Sequence, residues 1–267
     1  MDQKRPDGPQ QLASLDEKAF AAKWEDGKVI KSRITEPSTV AAISSILTSP
    51  IKDGDFDSLN LHQLVIYAVL LHLPFEQLQP YRPALETLSA FDISNFVADG
   101  SHKAQSAHVI GNSGLLARFA ADPEVVWVTD SKFDCVSDRT LTERVHSAEQ
   151  MRPYMPALCS WLADANNPPY SPCRAQLARF PEAATAVVAE EMTKAGEEND
   201  IWFQEGLLDF VSSCVPVGEA WIPMRAPVQA MVQALEKCDR DDAYDELIDD
   251  AKEWLAKLEE WEAHPTV

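Results

Sequence analysis

The chain has 267 residues, 45% of them apolar and 25% charged, the balance of a globular protein large enough to bury a core without disulfides or structural metal. Lysine and arginine number 23 against 43 aspartates and glutamates, so the formal net charge is −20. That field repels phosphate backbones and anionic lipid surfaces, which excludes nucleic-acid and membrane-surface roles from the expectation.

No apolar run is long enough to span a bilayer. The polar opening Met1–Gln10 lacks the apolar stretch of a secretory signal, which implies an intracellular, cytoplasmic location. Cys135, Cys159, Cys173, Cys214 and Cys238 show no Cys-x-x-Cys spacing and are expected as reduced thiols. Cys173, followed by Arg174, is the cysteine singled out as having a basic neighbour that would favour a thiolate.

Apolar residues recur three and four apart, period-two runs of β-branched residues are nearly absent, and there are only 9 glycines. The pattern predicts an all-α protein. Residues 1–13 are expected as a disordered tail, 14–122 as an N-terminal helical region, 123–262 as a C-terminal helical domain, and 263–267 as a second tail. In chain order, helices are expected over Asp16–Trp24 and Ser38–Leu47, then over the most apolar stretch, Leu61–Leu73. A helix opened by Pro83 is expected to run to near Asp99-Gly100, and another from His108 to Phe119, interrupted at Gly111-Asn112 and Gly114. Pro123–Asp130 reads as a short extended piece. Ser147–Gln150 has capping-box spacing and opens a helix carrying Tyr154, Leu158, Trp161 and Leu162. Asn166-Asn167-Pro168-Pro169 forbids helix, and further helices follow over 172–180, 181–194, 200–215 and 216–237, the last broken or restarted at Pro223 and Pro227. The final helix carries Tyr244, Leu247, Ile248, Ala251, Trp254, Leu255, Leu258 and Trp261 on one stripe.

Two halves echo one another. Pro74, Pro80, Pro83 and Ala84 are matched by Pro216, Pro223, Pro227 and Val228 at offsets drifting from 142 to 144 residues. Helix pairs with proline-marked turns are the pattern of stacked helical repeats.

Lys132-Phe133-Asp134, then Leu158, Trp161-Leu162, Asp164, Asn166 and Pro168, then Asp200-Ile201-Trp202, and finally Glu246, Ala251 and Leu255 form a recognisable series. Over about residues 131–261 the chain resembles the domain of unknown function 5071 family. The resemblance implies a helical-repeat fold similar to HEAT repeats, a stack of antiparallel helix pairs, and no established activity.

Signatures of common chemistry are missing. The six histidines form no His-Glu-x-x-His, the cysteines have no zinc spacing, and no nucleophile elbow or glycine-rich nucleotide loop occurs. No cofactor or metal is expected. Asp241-Asp242-Ala243-Tyr244-Asp245 matches the Asp-Asp-x-x-Asp pattern that binds magnesium and diphosphate in helical terpene cyclases, with Asn199-Asp200 and Glu205 as a loose second motif. Acidic helix starts also arise from capping alone.

The candidate binding groove is Trp161, Asp164, Asn166, Tyr170 and Trp202: two flat apolar surfaces beside polar groups where the chain leaves a helix. A second candidate is the acidic final helix, with Asp241, Asp242, Asp245, Trp254 and Trp261 facing a basic or peptide-like protein partner. The sequence therefore predicts a non-catalytic helical-repeat protein that binds a protein or peptide. The alternative is a cofactor-independent helical enzyme, of the isomerase or cyclase type, using a buried carboxylate, Asp164 or Asp209, on an apolar substrate.

Overall fold

The computed structural model describes residues 33–97, 100–237 and 243–264. Among them every regular element is helical and no strand occurs. The expected helix over Asp16–Trp24 lies outside the described residues.

The chain divides into two compact units. Val126–Lys132 belongs with the residues from Ser137 onward, while Phe133–Val136 belongs with those up to Val125. The sequence suggests one cut after residue 122; the segment that follows is instead shared out by its side chains. Val126 and Val128 pack on the core of the second unit, where the Thr140 hydroxyl accepts from the Trp127 N–H at 3.3 Å. Phe133 and Cys135 are held in the first unit by one side chain. The Asn112 amide donates to the Phe133 carbonyl at 2.9 Å and accepts from the Cys135 N–H at 3.1 Å.

In the first unit, α1 covers Pro37–Thr48, and α2, Phe56–Gln63, is capped by the Asp55 carboxylate accepting from the Ser58 N–H. The apolar stretch continues from α2 as a π turn, Leu64–Val69, and a 3-10 turn, Leu70–His72. Two short helices follow, α3 (Phe75–Leu78) and α4 (Arg82–Ser89), joined by the 3-10 turn Gln79–Tyr81. The helix expected to reach residue 99 thus ends ten residues earlier. The helix expected over His108–Phe119 becomes the longest element among the described residues, α5, Gly100–Ala121, uninterrupted by its glycines. Gly114 has a packing reason: a Cβ there would lie 3.3 Å from the Ser89 Cβ, so the glycine lets α5 approach α4.

In the second unit, α6 is Ser137–Arg144 and α7 is Ala148–Met151. The Ser147 hydroxyl accepts from the Gln150 N–H at 3.3 Å, and the Gln150 side chain accepts from the N–H of His146. The capping box therefore closes one residue further out than the usual form. The 3-10 turn Arg152–Tyr154, α8 (Met155–Cys159) and the 3-10 turn Ser160–Ala163 complete that arm. Next come α9 (Tyr170–Ala178), α10 (Pro181–Glu198) and α11 (Ile201–Cys214). Asn199, in the left-handed region at φ 58°, ends α10, and the Asp200 carboxylate caps α11 at the Phe203 N–H. These roles account for Asn199-Asp200 without a metal. The 3-10 turn Glu219–Met224 leads into α12 (Arg225–Leu235), so the proline-rich stretch restarts as expected, and α13 is Ala243–Ala263.

The two units share a sequence at an offset different from that of the 142-to-144-residue echo, which paired other residues. Residues 75–90 and 148–163 align at an offset of 73, with eight of sixteen positions identical around Glu-Gln-x-x-Pro-Tyr-x-Pro-Ala-Leu. Both copies fold as a helical turn, a 3-10 turn begun around the first proline, and a helix begun around the second. Proline suits those positions because its missing N–H would be unpaired at a helix start anyway. Each copy is followed by Leu-Ala-Arg-Phe, at Leu116–Phe119 and Leu177–Phe180, near the end of a helix.

Candidate functional site

Four of the five residues of the expected groove are engaged in hydrogen bonds of their own. Trp161 is half-buried and structural, its indole N–H donating to the Thr129 carbonyl at 3.0 Å. Asp164 ends the 3-10 turn, and its carboxylate accepts from the backbone and side-chain amides of Asn166 and from the Asn167 side chain. Asp164 and Asn166 thus satisfy a turn. Tyr170 is 9% exposed and its hydroxyl donates to Asp209 Oδ2 at 3.0 Å; burial first, and then Asp209, raise its pKa. Trp202 differs from all of these, at 65% exposure the most exposed tryptophan among the described residues.

On the final helix, Asp241 and Asp242 lie outside the described residues. Asp245 is exposed, and Trp261 is half-buried against the core. Trp254 does not face a partner: it is 2% exposed and stacks on Trp221 with ring centroids 4.5 Å apart. A tryptophan on the apolar stripe follows that stripe into the core, because burying its large ring outweighs proximity to exposed carboxylates.

Another constellation forms around α11. Gln204, Leu207, Leu208 and Val211 turn inward. Trp202, Glu205, Asp209 and Ser212 fall on the opposite stripe at helical spacing. On α13, Leu247, Ile248, Ala251 and Trp254 are buried, and Glu246, Asp250, Glu253 and Lys257 make a matching stripe. Between these helices lies a depression of about 360 Å³. Its apolar floor is Leu208, Trp221, Leu247 and Trp254, and Glu205, Asp209, Asp250 and Glu253 bring carboxylates to it.

The charges are unevenly met. Lys257 pairs with Glu253 at 2.7 Å, and Arg174 lies 3.4 Å from Asp209 Oδ2. Partial burial, then the nearby carboxylates of Asp209, Asp250 and Glu246, hold the Glu205 pKa above its ordinary value. Arg174 is anchored from behind, donating to Cys214 Sγ at 3.1 Å and to the Tyr170 hydroxyl at 3.3 Å. The residue after Cys173 therefore serves a different thiol. Cys173 itself is buried, and its pKa is pushed up to about 12, first by burial and then by Asp138.

Neither expected catalytic carboxylate is buried: Asp164 is exposed in its turn, and Asp209 is exposed and hydrogen-bonded. Among the described residues no group of three or more His, Cys, Asp or Glu side chains has an arrangement that could hold a metal ion. A separate cleft of about 460 Å³, mostly apolar, lies between α10, the start of α11 and α12, where Met192, Gln204 and Met231 line it.

Residues 127–255 match the domain of unknown function 5071 family. The domain of unknown function 5071 segment contains Glu205, Asp209, Trp221, Asp250 and Trp254, so the depression is built almost wholly from it; Lys257 lies just beyond. The N-terminal part has no family match. No curated protein and no solved structure matches the chain.

The signal that could have exposed this site is the pairing of two spacings. Trp202, Glu205 and Asp209 are polar-side positions at i, i+3 and i+7, as are Glu246, Asp250 and Glu253 at i, i+4 and i+7. Nothing in the linear sequence says that the two stripes meet.

Proposed function

We propose that the protein is a non-catalytic, helical-repeat binder, and that its second unit holds a basic segment of a protein partner on the acidic face shared by α11 and α13. The observation that carries the reading is the crowding of Glu205, Asp209, Asp250 and Glu253 around a depression lined by Trp221 and Trp254, with the exposed Trp202 one helical turn before Glu205 on α11. Carboxylates rimming aromatic surface suit a lysine- or arginine-bearing segment, since opposite charge steers the encounter and apolar area retains it. The duplicated proline-marked arm supports reading both units as HEAT-like repeats, a fold class that presents extended binding surfaces. Cys135, Cys159, Cys173 and Cys214 are free thiols, and no described helix is long and apolar enough to cross a membrane; an intracellular partner fits both.

The test is calorimetric titration of the full chain with a lysine- and arginine-rich peptide, and with an acidic peptide of equal length, at low and high salt. The reading expects binding of the basic peptide alone, weakening as salt rises. Equal binding of both peptides, or of neither, overturns it.

A further inference from the structure

The cleft between α10, the start of α11 and α12 shares no lining residue with the acidic depression, and the basic-partner reading makes no use of it. At about 460 Å³ it has the size of a small-molecule site. Buried Met192, Met231 and Leu235 supply its apolar surface. Ala226, Ala230 and Ala234, four residues apart along α12, keep the space above them open because their side chains are short.

One polar side chain interrupts this lining. Gln204 is 5% exposed, and its amide is held in place: Nε2 donates to the Met192 carbonyl at 3.4 Å and lies over Gly196, where a Cβ would come within 3.0 Å of it. That orientation leaves Oε1 with no protein donor among the described residues. Unlike the Trp254 indole nitrogen, which is sealed from solvent, Oε1 stays open to the cleft.

A molecule that fills the cleft takes water away from this oxygen, and unless it brings an O–H or N–H it leaves a buried acceptor unpaired. The backbone of a docked helix brings none, since its N–H groups are already used within the helix. A carboxylate brings none either, and the exposed Glu197 at the rim repels it. We propose that this cleft is a binding site for a small neutral aliphatic molecule headed by one donor group, an alcohol or a primary amide. Its chain lies along Met192 and Met231, whose unbranched thioethers adapt to such a chain, and its O–H or N–H donates to Gln204 Oε1.

The experiment uses the full chain labelled with ¹³C at the methionine methyls, with Met192 and Met231 assigned by their loss in Met192→Leu and Met231→Leu. The probes are octanol, octanamide, heptyl methyl ether, which matches octanol in size but has no donor, and octanoate. The site expects the Met192 and Met231 methyls to move with octanol and octanamide, while Met151 and Met155, buried outside the cleft, stay in place. The ether is expected to bind on the order of tenfold more weakly than octanol, and octanoate not at all. Gln204→Met keeps the length of the side chain and removes the acceptor, so it should bind alcohol and ether alike. Ala230→Phe, at an exposed position, should fill the cleft and abolish the binding of both. The comparison of alcohol with ether on the parent chain decides the matter without either variant. Binding of the ether or of octanoate as tight as that of octanol overturns the site, as does failure of both donors to move the Met192 and Met231 methyls.

Discussion

Residues 75–90 and 148–163 share half of their amino acids and the same succession of turns, yet they are buried differently. In the first unit Tyr81 is fully buried, its hydroxyl donates to the Ile34 carbonyl at 2.6 Å, and Ala84 is enclosed with it. The equivalent Tyr154 is half-buried and Ala157 exposed. The lesson is a division of labour: the prolines set where the turn and helix begin, and the neighbours decide which side chains matter. In the first unit α4 packs against both α1 and α5; in the second α8 packs against α9 and α10.

The C-terminal end of each copy meets a glycine from another helix, and here the difference is largest. A Cβ on Gly206 would lie 1.9 Å from the Leu162 carbonyl oxygen, whereas one on Gly114 meets only the Ser89 Cβ at 3.3 Å. Ser89 and Leu162 are equivalent at the 73-residue offset. Gly206→Ala is therefore expected to destabilise the second unit by about 3 kcal/mol or more, because backbone cannot yield as a side chain can. Gly114→Ala should cost less than about 1 kcal/mol, its tight contact offset by the better helix propensity of alanine. Thermal melts of the two variants that coincide would remove the asymmetry.

Asn112 sharpens the contrast at the boundary. Its side chain donates to the carbonyls of His108 and Phe133 and accepts from the Cys135 N–H, all within the first unit. Asn112→Ala should cost about 2 kcal/mol in denaturant unfolding, from the unpaired buried groups it leaves. Faster amide exchange at Cys135 should accompany that loss.

The tyrosine pair is a smaller test. Tyr81→Phe removes a buried donor and should cost about 1 kcal/mol, while Tyr154→Phe should stay within about 0.5 kcal/mol of the parent. Equal effects would mean that the copies are equivalent in packing as well as in sequence.

The smallest expected effect reads the acidic face alone. Because the Glu205 pKa is raised in the folded chain, the stability it contributes is full below the ordinary carboxylate value and is lost as pH rises through the raised value. At neutral pH the ionised group repels its neighbours. Glu205→Gln should therefore raise the melting temperature at about pH 7, and the gain should vanish at about pH 4 and below. A gain that persists unchanged in acid would assign the effect to packing instead of charge.

Much of the fold was legible in the chain because helix formation is local. Apolar spacing marked α1, α10, α11 and α13, and Ser147 with Gln150 marked a helix start. Failures came where a local signal had a tertiary answer. Gly111 and Gly114 suggested interruption, but close approach to α4 requires Gly114, and α5 runs through. The candidate site was less legible. Trp161, Asp164, Asn166 and Tyr170 read as a groove because flat aromatic surface stands beside polar groups at a helix exit; the structure gives each of them a hydrogen bond that the sequence does not specify. Trp202, 65% exposed, lies on the same helix stripe as Glu205 and Asp209.

The amino-acid order by itself determined an all-helical chain, its acidic surface and the proline-started turns, since periodicity and backbone restriction act over a few residues. Tertiary structure alone decided that Trp254 turns into the core onto Trp221 and that carboxylates some forty residues apart gather above them. The reason is that a helix stripe prescribes only a direction. What stands opposite it depends on how distant helices pack, and no local rule carries that information.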